Sequence, residues 1–313
     1  MFGYVIRRLA MAVATVFAAI VISFLLVHLT PGSPGAIVAG ADATEAEVAK
    51  ANAELGWDQP LWTQLTAYLK NLLQGDMGTS IIDGQPIQAD LLTRLPVTFF
   101  IALFATILSA VVGVALGVTA AVRGGHTDRG ITVGSGIALS LPAFWVGVLL
   151  VYVIAVRADL LPATGYVPFT VDPVGWLQSL LLPVITLAVG GAAVVARTAR
   201  ASMRGALRQE HIRTLQAVGT PPWRIRYLHA LRYASVPIVS VLGIQFIVLF
   251  GGSVIIENLF ALPGLGQASQ SAVAAHDFPA LQGVVIVATL VVVITNLLLD
   301  LVIAALDPKV RTA

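Results

Sequence analysis

Arg197, Arg200, Arg204 and Arg208 follow one another at spacings of three, four and four, which puts four positive charges on one face of a helix. Such a row can snorkel to anionic lipid headgroups, or it can meet a partner in the cytoplasm. The residues after it narrow the chemistry. A short helical stretch from Gln209 to Val218 runs into Gly219, placed where a helix C-cap belongs, and Thr220 and Pro221 then read as the cap and first residue of a further helix. This helix, elbow, helix projection would carry Ile212, Leu215, Ala217 and Val218 outside the membrane, where apolar groups need a protein to cover them. The chemistry expected here is docking.

Machinery for bond-making is missing. The chain contains no Cys, so disulfides, thiolate metal sites and cysteine nucleophiles are excluded. A phosphate-binding P-loop needs Lys after Gly, and the only lysines, Lys50, Lys70 and Lys309, follow Ala, Leu and Pro. No HExxH occurs, and Gly134-Ser135-Gly136 lacks the Gly that would complete a nucleophile pattern. No catalytic residue, metal site or cofactor is expected, and the energy source must lie on another chain.

Three polar residues fall inside apolar runs. Asp300 is one, and an ionised carboxylate there is unfavourable unless paired or wet. A structural partner, such as an arginine from a neighbouring cytoplasmic loop, is favoured over proton relay. Gln245 and Asn296 either line a polar path or hydrogen-bond between helices, the second being commoner. Gly113 and Gly117 make a GxxxG pair, which permits close helix packing.

The elements that must position these residues are membrane spans. Of 313 residues, 58% are hydrophobic and only 11% charged, with a mean hydropathy of +0.90; that is too apolar for a soluble domain of this length. The net charge of +2 does not signal nucleic acid, because the basic residues are not clustered on a soluble domain with aromatics between them. Crossing ~30 Å of hydrocarbon as a helix takes about 20 apolar residues. Six segments reach that length: Leu9 to Leu29, Val97 to Val122, Ile131 to Val156, Trp176 to Ala196, Ser235 to Ile256 and Leu281 to Ala305. The first exceeds the core of a cleavable signal and reads as a retained span.

An even number of spans puts both termini on one side. Fourteen of the eighteen Lys and Arg fall in the N-terminus, the second and fourth loops and the C-terminus, which predicts cytoplasmic termini. The first external loop, Thr30 to Leu95, reads as two short helices. Thr44 and Glu47 form a capping-box pattern with Gly56 as terminator; Pro60 opens the second helix, whose Leu61, Leu65, Tyr68 and Leu72 make an apolar stripe ending at Gly75. The organisation expected is 1–29 as N-terminal segment and first span, 30–95 as extracytoplasmic helical loop, 96–306 as a five-span core containing the cytoplasmic loop 197–232, and 307–313 as tail.

At the elbow, Arg213, Thr214, Ala217 and Gly219, then His229, Ala230, Leu231, Arg232, Ala234 and Pro237, resemble the EAA loop of ABC importer permeases in its dipeptide and oligopeptide form; Leu215, Gln216 and Val218 depart from it. The resemblance runs on through Tyr4, Arg7 and Arg8; Pro31, Gly32 and Pro34; Leu55, Gly56, Asp58 and Pro60; Gly75, Asp76, Gly78 and Ser80; Arg94, Pro96 and Thr98; Ser140, Pro142 and Phe144; Gly251, Gly252, Glu257, Phe260, Pro263, Gly264 and Gly266; and Asn296, Asp300, Asp307, Pro308 and Arg311.

That resemblance implies an all-α polytopic membrane protein of the type I ABC importer permease fold, with a helical extracytoplasmic insertion after the first span. It implies a bacterial or archaeal cytoplasmic-membrane complex of two related permeases, two cytoplasmic ATPase subunits and an extracytoplasmic binding protein or lipoprotein delivering dipeptides or oligopeptides. Relatives carrying nickel or other small solutes keep a second substrate reading open, and an ion-coupled secondary transporter is the rival class. Under the importer reading Glu210, Arg213, Thr214, Ala217, Gly219 and Trp223 couple to the ATPase. By position, Glu257, Phe260, Pro263, Gly264 and Gly266 form an outer gate or a binding-protein contact at the external end of the fifth span.

Overall fold

The computed structural model describes residues 2–30, 32–40 and 42–306. Pro31 and the tail expected over 307–313, with Asp307, Pro308 and Arg311, lie outside the described residues. In chain order the helices are α1 (Phe2–Leu29), α2 (Pro34–Ala39), α3 (Glu45–Glu54), α4 (Leu61–Leu73), α5 (Ile87–Arg123), α6 (Gly125–Ser140), α7 (Ala143–Leu150), α8 (Pro173–Leu207), α9 (Glu210–Ala217), α10 (Pro222–Arg224), α11 (Leu231–Leu259), α12 (Leu265–Ala275) and α13 (Phe278–Leu306). Two π-helical stretches, Val151–Arg157 and Ile225–Ala230, extend α7 and join α10 to α11. Beside these helices, the described residues hold one isolated β-bridge, between Thr79 and Pro86.

The helices α1, α5, α8, α13 and the continuous rod Pro222–Leu259 are each long and apolar enough to cross a membrane. The third expected span, Ile131 to Val156, is not one straight helix. It breaks between α6 and α7 with a bend of 95°, so the pair makes a sixth span only if counted together. Pro142 is the cause: its ring disfavours helical backbone at the residue before it, and Leu141 is extended, with φ −82° and ψ 125°.

Contacts divide the chain into two units. One gathers Thr98–Leu262 with residues 295–306. Its hub is α8, whose most apolar stretch is 72% buried. The GxxxG pair of α5 faces that hub. A Cβ added at Gly113 would lie 2.6 Å from Val195 Cβ, and one at Gly117 would lie 2.7 Å from Ala199 Cβ. Membrane helices associate mainly through such close packing of small residues. Gly117→Leu is therefore expected to destabilise the chain by at least about 1–3 kcal/mol, the usual effect of overpacking. A lower midpoint in a detergent thermal-unfolding assay, with the exposed Leu116→Ala as control, would show it.

The other unit gathers Phe2–Val97 with Pro263–Ile294. Its segment after α1 holds three short helices rather than two. The extra one, α2, has Pro34 in its first turn, and its N-cap Ser33 accepts a hydrogen bond from the Ala36 amide. Asn52 of α3 ties α2 down, accepting from Gly35 N–H at 2.9 Å and donating to Ser33 Oγ at 3.1 Å. The capping box forms as expected at Thr44 and Glu47, and its backbone and side-chain hydrogen bonds hold the Glu47 carboxyl below the usual carboxylate range. Along α4, Leu65 is buried and Tyr68 and Leu72 half-buried. His28, at the end of α1, stacks on Trp57 with centroids 4.1 Å apart and hydrogen-bonds Gln64 Oε1 at 2.9 Å.

Candidate coupling site

Helix α8 has 35 residues and is thus about 52 Å long at 1.5 Å per residue, well beyond a ~30 Å hydrocarbon core. Its arginine-bearing end belongs to the surplus. Arg197 and Arg208 are exposed there. Arg200 and Arg204 are not: both turn onto Asp128 in the first turn of α6. Arg200 grips the two carboxylate oxygens with Nε and Nη2, and Arg204 Nη2 donates to Oδ2 at 2.7 Å. A bidentate Arg–carboxylate pair fixes geometry as well as charge. Two of the four arginines are therefore engaged within the chain, where they brace α6 against α8.

Sequence reasoning did not single out Asp128. The available signal was that Arg200 and Arg204, four residues apart, need one counter-charge, and that Asp128 is the acid in the short second loop. Nothing in sequence separation announces a pair 72 and 76 residues apart.

Helix α9 leaves α8 through Arg208 and Gln209. Ile212, expected to face outward, is fully buried against Val118, Ala199, Met203, Ala206 and Ile225, with Leu215 packed beside it. The correction has a simple reason: a short amphipathic helix at a membrane edge buries its apolar stripe on its own chain before any partner arrives. Ile212→Ala is expected to cost about 2–5 kcal/mol, as for other buried aliphatic truncations. Faster proteolytic cleavage in the segment 208–222 of the purified protein would register it.

The elbow forms as a full Schellman closure. Gly219 N–H donates to Gln216 O and Thr220 N–H to Leu215 O, both at 3.0 Å, around Gly219 with φ +76°, a left-handed conformation that glycine adopts without penalty. The next helix starts one residue later than expected: Pro221 is its cap and Pro222 its first residue. A Cβ at Gly219 would meet nothing within 4 Å. Glu210, Arg213, Thr214, Ala217 and Gly219 are all exposed, with Arg213 reaching Glu210 at 3.2 Å. Val218 is 72% and Trp223 59% exposed, and the Arg224 guanidinium lies over the Trp223 ring at 5.3 Å. Tyr227, Leu228 and Tyr233 are exposed as well.

The other expected site residues fall elsewhere. Glu257 is fully buried and Phe260 nearly so. Glu257 Oε1 accepts from Thr98 Oγ1 at 2.8 Å and Ser253 Oγ at 2.7 Å, so neither side chain presents itself to a docking protein. Pro263 is exposed, while Gly264 and Gly266 are buried. Gln245 is buried in α11, Asn296 exposed on α13, and Asp300 half-buried.

The described residues form a polytopic helical protein in which the long helix α8 is braced on α6 and runs into the elbow at Gly219. Residues 113–312 match the family described as binding-protein-dependent transport system inner membrane component, and residues 1–102 match its N-terminal counterpart. A probable peptide ABC transporter permease protein of Sinorhizobium fredii is 38% identical over 98% of this chain and 99% of its own. A glutathione transport system permease protein of Pectobacterium atrosepticum is 37% identical over 99% of each. Among solved structures, an inward-facing form of the MetNI methionine ABC transporter superposes with TM-score 0.58 at 18% identity, covering 69% of this chain and 96% of that one; that likeness establishes the type I fold.

The chain belongs to the binding-protein-dependent transport system inner membrane component family. It is a multi-pass inner membrane permease subunit of an ABC importer and is not itself an enzyme, ATP hydrolysis being the work of separate ATPase subunits. Such permeases act with a second permease, an ATPase and a binding protein.

Proposed function

We propose that this permease imports short peptides, and that the surface of α9 and the elbow, Glu210, Arg213, Thr214, Ala217, Gly219 and Trp223, is where the ATPase drives it. The observation that carries the reading is that Val218 and Trp223 stand exposed at an elbow whose inner face is already packed. Exposed aromatic side chains beside a folded elbow are typical of a protein interface. The peptide class is favoured because relatives matching the full chain are named for peptides and for the tripeptide glutathione.

In this reading both termini, the 307–313 tail and loop 197–232 are cytoplasmic, and 30–95 is the extracytoplasmic loop of a five-span core over 96–306. Two permeases and two ATPase subunits then make the complex, and a binding protein or lipoprotein delivers substrate to the outer side. Closure of the ATPase pair displaces α9, and α8 and α6 follow because they are fastened to it. Asp300 takes a structural part, and Pro263 stays a candidate contact for the binding protein.

The test uses the absence of cysteine. Single substitutions Glu210→Cys and Thr44→Cys are labelled with a membrane-impermeant maleimide in inside-out and right-side-out vesicles. Glu210→Cys should react only when the cytoplasmic face is outward, and Thr44→Cys only in the opposite orientation. Labelling of Glu210→Cys from the external face would end the coupling reading.

A further inference from the structure

Within the first unit a cleft of about 260 Å³ opens where α6 breaks, walled by Leu141 and Ala143 at the break, Gly190 and Gly191 of α8, and Gln245 of α11. Gln245 stands at the middle of the apolar run Ser235 to Ile256. It is only 8% exposed; no buried side-chain nitrogen or oxygen among the described residues lacks a partner, so the Gln245 amide, which makes no hydrogen bond within the chain, opens on the cleft. An amide that opens on a largely apolar cleft calls for a ligand or water to pair with it. The interhelical bond that usually accounts for a polar residue in a span is missing here.

Three further observations meet at the same place. Irregular backbone at membrane depth survives only where protein buries it or a wet cavity adjoins it, and the Leu141–Pro142 break lies on this cleft. Helix α7 begins on the cleft with Pro142 as cap and no side chain satisfying its first amides, so backbone donors also lie at the wall. Gly190 leaves open space where a side chain would stand. A Cβ at Gly191 would come 3.4 Å from Gln245 Nε2 and would also strike Ser109 Oγ, so two glycines keep the wall low beside the amide.

We infer that this cleft is a transit subsite in which Gln245 exchanges hydrogen bonds with the backbone amide groups of the passing peptide. A primary amide donates and accepts, as a peptide group does, and the cleft lining includes no charged side chain. It therefore engages what all peptides share and leaves side-chain selection elsewhere. The inference rests on the peptide-import reading.

The full complex, with its ATPases and binding protein, is reconstituted in vesicles and supplied with a mixture of alanine di-, tri- and pentapeptides. Gln245→Leu, close in shape but without the amide, should lower uptake about five- to tenfold, the worth of one hydrogen bond; Gln245→Asn should restore part of it. In parallel, Gln245→Cys and Gly190→Cys are labelled with a small maleimide. Peptide together with binding protein should slow both reactions and leave that of Leu298→Cys on α13 unchanged. Uptake by the unsubstituted complex with no peptide protection at either cysteine would overturn the subsite and leave the import reading standing. Cysteines unreactive under all conditions and cross-linked to the second permease would assign the cleft to subunit packing and overturn it too. No uptake of any of the three peptides would remove the import reading itself.

Discussion

A complex carrying Gly219→Trp is expected to hydrolyse ATP without moving solute, or to lose its ATPase on purification, with uptake near background in either case. The reasoning separates two effects. Any side chain at φ +76° carries the left-handed penalty of roughly 1–2 kcal/mol, which by itself only loosens the elbow. The indole adds bulk where this chain has no atom within 4 Å, so its steric effect falls on whatever covers the elbow in the complex. Gly219→Asn separates the two, because asparagine tolerates the left-handed conformation and is small; it should keep most of the uptake. Wild-type uptake and ATPase retention by Gly219→Trp would show that nothing docks there.

Asp128→Ala should be the next most damaging change. It leaves Arg200 and Arg204 without their counter-charge and removes the charged tie between α6 and α8. Since α9 is seated on the cluster holding Ala199, Met203 and Ala206 of α8, motion delivered to the elbow would still reach α8 but no longer be passed rigidly to α6. The expected result is an uptake loss of about tenfold, within the 5- to 150-fold range typical of coupling between linked sites, while ATPase activity persists. Peptide molecules imported per ATP is the decisive ratio, because a chain that merely folds poorly would lose both activities together. Asp128→Glu, which retains the charge, should recover part of the ratio.

Much of this protein could be read from its residues. The apolar runs, the capping box at Thr44 and Glu47, the terminators Gly56 and Gly75, and the Gly219 elbow all formed where spacing put them. These are local devices: a helix cap closes within six residues, and a span of apolar side chains has one low-energy state in lipid. Pro142 was visible too, yet its consequence was not. A proline in a span can be absorbed, as Pro96, Pro183 and Pro237 are inside α5, α8 and α11, and only the surrounding packing decides which one becomes a 95° break.

The sequence by itself determined a helical membrane protein with an elbow at Gly219, because hydropathy, caps and left-handed glycines act over a few residues and do not depend on the rest of the chain. Only the tertiary structure decided the partners of those features. It gave Arg200 and Arg204 to Asp128, turned Ile212 inward, covered Glu257 with Thr98 and Ser253, and left Gln245 unpaired beside a broken helix. The physical reason is that charge pairing and burial are set by which helices come within a few ångströms of one another. In a membrane that proximity follows from glycine contacts such as Gly113 and Gly117 on α8, whose effect appears only when the facing helix is known.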